Sequence, residues 1–157
     1  MKTYLLYESK TGNTKQLADV IQELFQASMV DTLDEADLVF FGSWTDKGTF
    51  AEAMIEQAKH IHHKKVFIFG TCGFGGEAYR EQLYERAAAL LDDTNQVVGH
   101  FYCQGKMPPS VRDRYVSMLH EHPDDQKLQV SVRNFDQALS HPDSADLTAL
   151  RAALALL

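Results

Sequence analysis

Three hydroxyl side chains lie close together near the start of the chain, where a short apolar strand is followed by an amphipathic helix. They belong to Ser9, Thr11 and Thr14, and Gly12 lies between them. A helix N-terminus offers unpaired backbone N–H groups and the positive end of the helix dipole, which together bind phosphate. Hydroxyls add donors without adding charge. The pattern therefore predicts a site for a compact phosphomonoester at residues 9–14, named here the hydroxyl turn.

The hydroxyl turn differs from two common nucleotide-binding loops. It contains no Gly-Lys-Ser/Thr sequence of a Walker A loop and no glycine triplet of a dinucleotide fold. The alternative interpretation is an ordinary strand–turn–helix junction in which Thr11 or Asn13 caps the helix. Because three hydroxyls fall within six residues after the first strand of an α/β pattern, we favour phosphate binding.

Apolar strands alternate with helical patterns along the first two thirds of the chain. The predicted strands are residues 3–8, 38–42, 66–70 and 96–103, and the predicted helices are 12–25, 51–61 and 77–91. Such alternation implies a parallel sheet with right-handed crossovers. Only residues 27–32 remain for a second strand, which must be very short. We therefore expect a doubly wound, five-stranded parallel sheet between two layers of helices.

The pattern beyond Gly105 is helical only. It predicts a helix over residues 108–122, another from about residue 123, and a last helix capped by Asp143 or Ser144. A five-stranded doubly wound domain needs one closing helix, so one or two of these are extra. We expect a single domain over residues 1–157, with 105–157 as a helical C-terminal extension.

Composition excludes several function classes. The 15 basic and 22 acidic residues give a net charge of −7, which argues against nucleic acid and fits docking to a basic protein surface. No apolar run approaches the ~20 residues that span a bilayer, and the start of the chain lacks a signal-peptide apolar region. Cys72 and Cys103 do not form a disulfide framework, so we expect a cytoplasmic protein.

Three histidines, His60, His62 and His63, superficially suggest a metal site. They precede Lys64 and Lys65 at a predicted helix end, where cations complement the helix dipole. No fourth ligand is evident, so no metal site is predicted. Arg112, Arg114 and Tyr115 beyond the last strand could reach the site or a partner, and we favour their interpretation as part of a solvated helix face.

Two more loops are expected at the same edge of the sheet as the hydroxyl turn, because ligands of open α/β sheets bind at the carboxyl ends of the strands. The second loop, residues 42–49, contains the only Trp of the chain. The third loop, residues 70–79, contains a Phe flanked by glycines. Glycines let backbone amides approach a flat ligand, and aromatic side chains stack on it. Together with the hydroxyl turn, these loops indicate a site for flavin mononucleotide (FMN).

The start of the chain resembles the flavodoxins. Their opening signature reads aliphatic, aliphatic or aromatic, aromatic, any, Ser/Thr, two of any kind, small, any, Thr, three of any kind, Ala, two of any kind, aliphatic. The positions that meet it are Leu5, Leu6, Tyr7, Ser9, Gly12, Thr14, Ala18 and Ile21. The resemblance covers about residues 3–103. It implies a flavodoxin-like three-layer α/β/α fold with strand order 2-1-3-4-5, and FMN as the cofactor.

The resemblance also implies the cofactor-binding residues. The FMN phosphate would be held by Ser9, Lys10, Thr11, Gly12, Asn13 and Thr14. One flavin face and the N5 region would be contacted by Ser43, Trp44, Thr45, Asp46, Lys47 and Gly48. The pyrimidine end would be wrapped by Thr71, Cys72, Gly73, Phe74, Gly75 and Gly76. No catalytic residue is predicted, because Glu8 beside the hydroxyl turn has no paired carboxylate or histidine.

A narrower resemblance rests on residues 44–48, 73–76 and 103–108, followed by Arg112 and Tyr115. These segments are similar to flavodoxin-like proteins found alongside bacterial bilirubin reductase. The resemblance implies an electron carrier that donates electrons to a partner reductase in bilirubin or tetrapyrrole reduction.

Two alternatives to the electron carrier stay open. The first is an FMN-dependent reductase acting directly on a quinone or tetrapyrrole-like substrate, and the second is a flavin-free interaction domain. The absence of a recognisable NAD(P)H-binding motif favours the carrier. A large apolar pocket over the flavin, walled by the C-terminal helices, would favour the reductase.

Overall fold

Four parallel strands and one short antiparallel strand form the central sheet. The computed structural model describes all residues from 1 to 157. The strands are β1 (Thr3–Glu8), β2 (Leu38–Asp46), β3 (Thr49–Phe50), β4 (Lys65–Cys72) and β5 (Gln96–Gln104). The parallel strands lie in the order β1-β2-β4-β5, and β3 pairs with the end of β2.

The predicted second strand is reduced to a single bridge. Met29 forms an isolated parallel bridge with Thr3, and the amide of Val30 donates to the Thr3 carbonyl at 2.8 Å. The segment Gln26–Ser28 forms a 3-10 turn directly after the first helix, so few residues remain for pairing. With this bridge counted as the second strand, the observed order is the expected 2-1-3-4-5. The flavodoxin-like fold class is confirmed.

Helices cover both faces of the sheet. They are α1 (Asn13–Phe25), α2 (Glu52–Ala58), α3 (Glu77–Ala88), α4 (Pro109–Glu121), α5 (Gln126–Ala138) and α6 (Ser144–Leu154). Phe40, Phe67 and Phe69 belong to the core between the sheet, α1 and α6. Phe41 and Ile68 belong to the core between the sheet, α2 and α3. Successive residues of β2 and β4 thus alternate between two apolar layers, as expected for strands covered on both faces.

The three helices predicted beyond residue 105 are present and differ in their roles. Helix α6 packs against β5 and α1 and is the closing helix. It begins with a capping box between Asp143 and Asp146, which confirms the predicted cap at Asp143. The extra helices α4 and α5 pack on each other, and an ion pair of 2.8 Å joins Arg112 to Asp136. None of the helices is both long and apolar enough to cross a membrane.

Candidate cofactor-binding site

The hydroxyl turn leaves its backbone donors unpaired. Helix α1 begins at Asn13, and Gly12 with φ of 91° is its N-cap without a side-chain hydrogen bond, so neither Thr11 nor Asn13 caps the helix. The N–H groups of residues 10–12 donate to no backbone carbonyl. The Ser9 hydroxyl accepts from the amide of Lys15 at 3.2 Å and keeps its own proton for another acceptor. Unpaired amides at a helix N-terminus form an anion-binding arrangement.

Two side chains fasten this turn to the rest of the fold. The hydroxyl of Thr14 is fully buried and shares a hydrogen bond of 2.9 Å with the hydroxyl of Thr71. Asn13 is 7% exposed, and its Nδ2 donates to the carbonyl of Lys106 at 2.8 Å. The Asn13 Oδ1 is buried without a hydrogen-bond partner. Since buried acceptors are normally paired, this atom is available to accept a hydrogen bond from a ligand.

The second loop is a strand end and a hairpin turn. Gly42 and Ser43 pair with both β1 and β4, and strand β2 continues to Asp46. The expectation that the strand ends at Gly42 is therefore wrong, because backbone pairing on both sides extends it beyond the apolar run. Lys47 and Gly48 have φ of 53° and 81° and connect β2 to β3. Two consecutive positive φ angles are typical of a type I′ hairpin turn.

Trp44 lies beside the hydroxyl turn. Its indole is half-buried, and Nε1 donates to Oε2 of Glu8 at 2.9 Å. The ammonium of Lys10 lies 4.8 Å from the indole centroid. The neighbouring Ser43 is fully buried, and its hydroxyl donates to the Trp44 carbonyl and accepts from the amide of Ala51. Ser43 therefore holds the strand end, whereas Trp44 presents an aromatic surface at the edge of the sheet.

The third loop is fixed by side chains from outside it. The carbonyl of Gly73 accepts from Gln104 Nε2 at 3.0 Å and from Asn134 Nδ2 at 2.9 Å. Asn134 Oδ1 accepts from the amide of Gly75 at 3.1 Å. Phe74 is 42% exposed, and its side chain contacts the ring of Tyr79 edge-on. The end of β5 and helix α5 thus determine the backbone path of this loop.

The two cysteines are buried free thiols near the same edge. Burial raises the pKa of the Cys72 thiol to about 11 and also raises the pKa of Cys103. The Cys72 Sγ donates to the Phe74 carbonyl at 3.1 Å. Since the thiolate is the reactive form of cysteine, neither residue is an activated nucleophile at neutral pH.

A cavity of about 400 Å³ brings half of the predicted residues together. The predicted residues that line it are Lys10, Thr11, Asn13, Trp44, Thr45, Asp46, Thr71, Cys72 and Gly73. The predicted residues outside its lining are Ser9, Gly12, Thr14, Ser43, Lys47, Gly48, Phe74, Gly75 and Gly76. For the residues inside and outside the lining alike, contact with a cofactor stays a prediction. All three predicted segments nevertheless meet at this one cavity.

The opposite wall comes from a segment that sequence reasoning did not assign to the site. It consists of Gly105, Lys106, Met107, Pro108, Ser110, Val111 and Arg114. A Cβ on Gly105 would lie 2.5 Å from Asn13 Nδ2, and a Cβ on Gly73 would lie 2.5 Å from Met107 Sδ, so both glycines permit close packing here. Arg114 lines the cavity as well as lying on the exposed helix surface. The sequence feature that could have indicated this wall is Gly105, because it directly follows β5 at the edge of the sheet where the three loops meet.

The cavity has the chemistry that FMN requires. Its volume lies within the range of about 300 to 1,000 Å³ that is typical of small-molecule sites. Unpaired amides and hydroxyls at one end suit a phosphate, and an indole beside them suits a flat ring. The unpaired Oδ1 of Asn13 adds an acceptor at the same edge. The residues present therefore fit the cofactor that the sequence resemblance implies.

Solved structures share the fold. The Trp repressor binding protein from Bacillus subtilis superposes with a TM-score of 0.54 at 14% identity, over 90% of this chain and 100% of that one. Oxidised flavodoxin 2 from Bacillus cereus superposes with a TM-score of 0.53 at 19% identity, over 99% of this chain and 97% of that one. At these identities the likeness shows the fold alone.

Two relatives and a family model identify the family to which the chain belongs. The chain is 33% identical to the flavodoxin-like domain-containing protein BilS of Clostridioides difficile strain CD3, over 94% of this chain and 90% of the relative. It is 31% identical to the BilS protein of Clostridium symbiosum strain WAL-14163, over 96% of this chain and 93% of the relative. The model of the flavodoxin domain matches residues 4–155. The chain therefore belongs to the flavodoxin domain family, in the same group as these BilS relatives.

Proposed function

We propose that this protein binds FMN in the 400 Å³ cavity and passes electrons to a partner reductase. The observation that carries the proposal is the hydroxyl turn, where the amides of residues 10–12 are unpaired at the start of α1. When bound, FMN supplies one- and two-electron redox chemistry, and the protein binds, orients and tunes it.

The chain's own residues divide this work. The amides of residues 10–12 and the hydroxyls of Ser9 and Thr11 hold the phosphate, since hydrogen bonds to a charged acceptor are the strong ones. Trp44 offers its indole face to the ring, and its hydrogen bond to Glu8 keeps the indole in place. These roles need no proton transfer by the protein.

The lining of the cavity favours a carrier over a reductase. Most of the lining residues are polar or glycine, whereas a pocket for a large apolar substrate would be lined mainly by apolar side chains. Burial raises the pKa of the Cys72 thiol to about 11, and the thiol donates to the backbone carbonyls of Phe74 and Cys103, so it offers no base at neutral pH. One observation favours the reductase: Met107 and Val111 supply an apolar wall from the C-terminal segment.

The pathway is the most specific part of the proposal. The BilS relatives are similar over almost the whole chain, and the sequence resembles proteins that accompany bilirubin reductase. We therefore propose that the protein donates electrons to a partner reductase that reduces bilirubin or another tetrapyrrole. A cytoplasmic location is part of the same proposal, and the buried free thiols of Cys72 and Cys103 support it.

The cofactor is tested by titrating the FMN-free protein with FMN and with riboflavin, which lacks the phosphate. We expect FMN to bind with one-to-one stoichiometry and riboflavin to bind at least about tenfold more weakly, because hydrogen bonds to a charged group contribute roughly 1.5–3 kcal/mol. Thr11→Val should weaken FMN binding and leave riboflavin binding unchanged. Thr32→Val is the matched control, since Thr32 is exposed and its hydroxyl donates to Glu35 away from the cavity. Equal binding of both flavins would contradict the phosphate assignment.

The role of the protein is tested with reduced protein under anaerobic conditions. A carrier should not catalyse turnover of bilirubin or a quinone alone, and should be oxidised when bilirubin and the partner reductase are added together. Oxidation by the small molecule alone, with catalytic turnover, would support the reductase and contradict the carrier.

A further inference from the structure

A second cavity of about 690 Å³ lies on the other side of the third loop. The end of β5 and helices α3, α5 and α6 surround it. Arg80 and Arg133 line this cavity together with Gly75 and Gly76 of the third loop, and no residue lines both this cavity and the cofactor cavity. The expected role of the third loop in FMN binding does not account for these two guanidinium groups.

Neither guanidinium has an acidic partner. The structure contains eight ion pairs with nitrogen–oxygen distances of 4.0 Å or less, and none of them includes Arg80 or Arg133. The chain has 22 acidic residues, so partners are abundant elsewhere. Asp146 is the only carboxylate in the lining, and it accepts from the Asp143 amide at 2.9 Å and lies 2.6 Å from Nδ1 of His141. Its charge is therefore already engaged.

The remaining lining combines amide and apolar groups. Gln104, Asn134 and Gln137 provide carboxamides, and Phe101, Tyr102 and Val130 provide apolar surface. Guanidinium groups pair with carboxylates through two parallel hydrogen bonds. The carboxamide of Gln137 adds a donor, whereas those of Gln104 and Asn134 already donate to the carbonyl of Gly73, and the aromatic side chains accept an apolar body.

From this arrangement we infer that the second cavity binds an organic dicarboxylate, with Arg80 and Arg133 as the partners of its carboxylates. Its volume is sufficient for an apolar body between two carboxylate groups. Binding at this cavity does not depend on the proposed FMN function, because none of the residues that would hold the phosphate belongs to its lining.

The same cavity contacts the loop beside the cofactor site. Asn134 and Gln104 line it, and they also hold the carbonyl of Gly73, while Asn134 binds the amide of Gly75. A carboxylate that recruits either carboxamide competes with these hydrogen bonds. Occupancy of the second cavity therefore changes the third loop, and we expect it to change FMN affinity where FMN binds.

The experiment uses the full chain and isothermal titration with terephthalate, a rigid aromatic dicarboxylate, and with its neutral analogue terephthalamide. We expect terephthalate to bind and terephthalamide to bind at least about tenfold more weakly, since each charge-assisted hydrogen bond contributes roughly 1.4 kcal/mol or more. Arg80→Gln/Arg133→Gln should abolish the difference between the two probes. Because the Arg133 side chain is exposed, Arg133→Gln alone should reduce the difference between the two probes in part and leave the fold unaffected.

Two further variants locate the site. Arg151→Gln removes a guanidinium that pairs with Glu23 away from both cavities, and should leave terephthalate binding unchanged. Arg114→Gln removes a guanidinium from the cofactor cavity, and should also leave it unchanged. Absence of terephthalate binding, full binding in the Arg80→Gln/Arg133→Gln variant, or loss in Arg114→Gln would each overturn the inference.

Discussion

The hydroxyl groups of Thr14 and Thr71 lie 2.9 Å apart in a buried hydrogen bond. Thr14 belongs to the first turn of α1, and Thr71 is the next-to-last residue of β4. The hydroxyl of Thr45 in β2 donates to the carbonyl of the same Thr71 at 2.8 Å. One threonine therefore connects all three segments that meet at the cofactor cavity.

This connection predicts a stability effect. Thr14→Val or Thr71→Val leaves a buried hydroxyl without its partner, which should lower the free energy of unfolding by roughly 1–3 kcal/mol. The variant with both substitutions should lose less than the sum, because it leaves no unpaired hydroxyl between the two positions. Urea unfolding of the four proteins measures the coupling. Strictly additive losses would show that the two hydroxyls do not depend on each other.

Gly105 should tolerate no side chain. In Gly105→Ala the new Cβ would lie 2.5 Å from Asn13 Nδ2, so Asn13 must move and its hydrogen bond to Lys106 is lost. We expect weaker FMN binding and a lower free energy of unfolding. Gly75→Ala is the matched control for the free energy of unfolding, since its Cβ would lie 3.5 Å from Gln104, an ordinary contact distance. If urea unfolding gives the same value for both variants and Gly105→Ala binds FMN as the wild-type protein does, close packing at Gly105 is not important.

Trp44 provides a direct signal of ligand binding. It is the only tryptophan of the chain and lines the cofactor cavity. We expect FMN to quench its emission with one-to-one stoichiometry, because the flavin ring would lie against the indole. Free N-acetyltryptophanamide at the same FMN concentrations corrects for absorbed light. Emission that follows this free compound throughout the titration would place FMN away from Trp44.

Burial of Cys72 predicts a loss of stability in alkali. Its pKa is raised from an ordinary 9.0 to about 11, so below pH 9 the thiol is protonated in both the folded and the unfolded chain. Between these values the unfolded chain releases the proton and the folded chain keeps it, so stability falls as pH rises, by roughly 2 kcal/mol across the window.

Urea unfolding at several pH values across this window measures the fall. Cys72→Ala should show a smaller decrease than the wild-type protein, and the remainder comes from Cys103 and Tyr102, whose pKa values burial also raises. An identical decrease in both proteins would show that Cys72 does not contribute.

The central fold could be predicted from sequence because its signals are local. Apolar runs such as residues 66–70 and the spacing of Leu17 and Ile21 reflect burial in a sheet and on one helix face. The extension of β2 to Asp46 could not be predicted, because it depends on backbone pairing with other segments: Ser43 pairs with β1 and β4, Trp44 pairs with β4, and residues 45–46 pair with β3. The residue types at positions 43–46 do not indicate that pairing.

The cofactor cavity shows the same limit. The hydroxyl turn was recognisable from its residue types, and its amides are unpaired as a phosphate site requires. The wall formed by Gly105, Met107 and Arg114 was not assigned, because its position depends on the packing of Asn13 and Gly73 against it. Contacts across such a sequence separation leave no periodic pattern.

The central claim is that the amides of the hydroxyl turn bind the phosphate of FMN. The most direct measurement is the NMR shift of the backbone amides of residues 10–12 during titration with FMN and, separately, with riboflavin. We predict large shifts at these three amides with FMN that riboflavin does not produce. Unchanged amides at saturating FMN, or equal shifts with both flavins, would contradict the account.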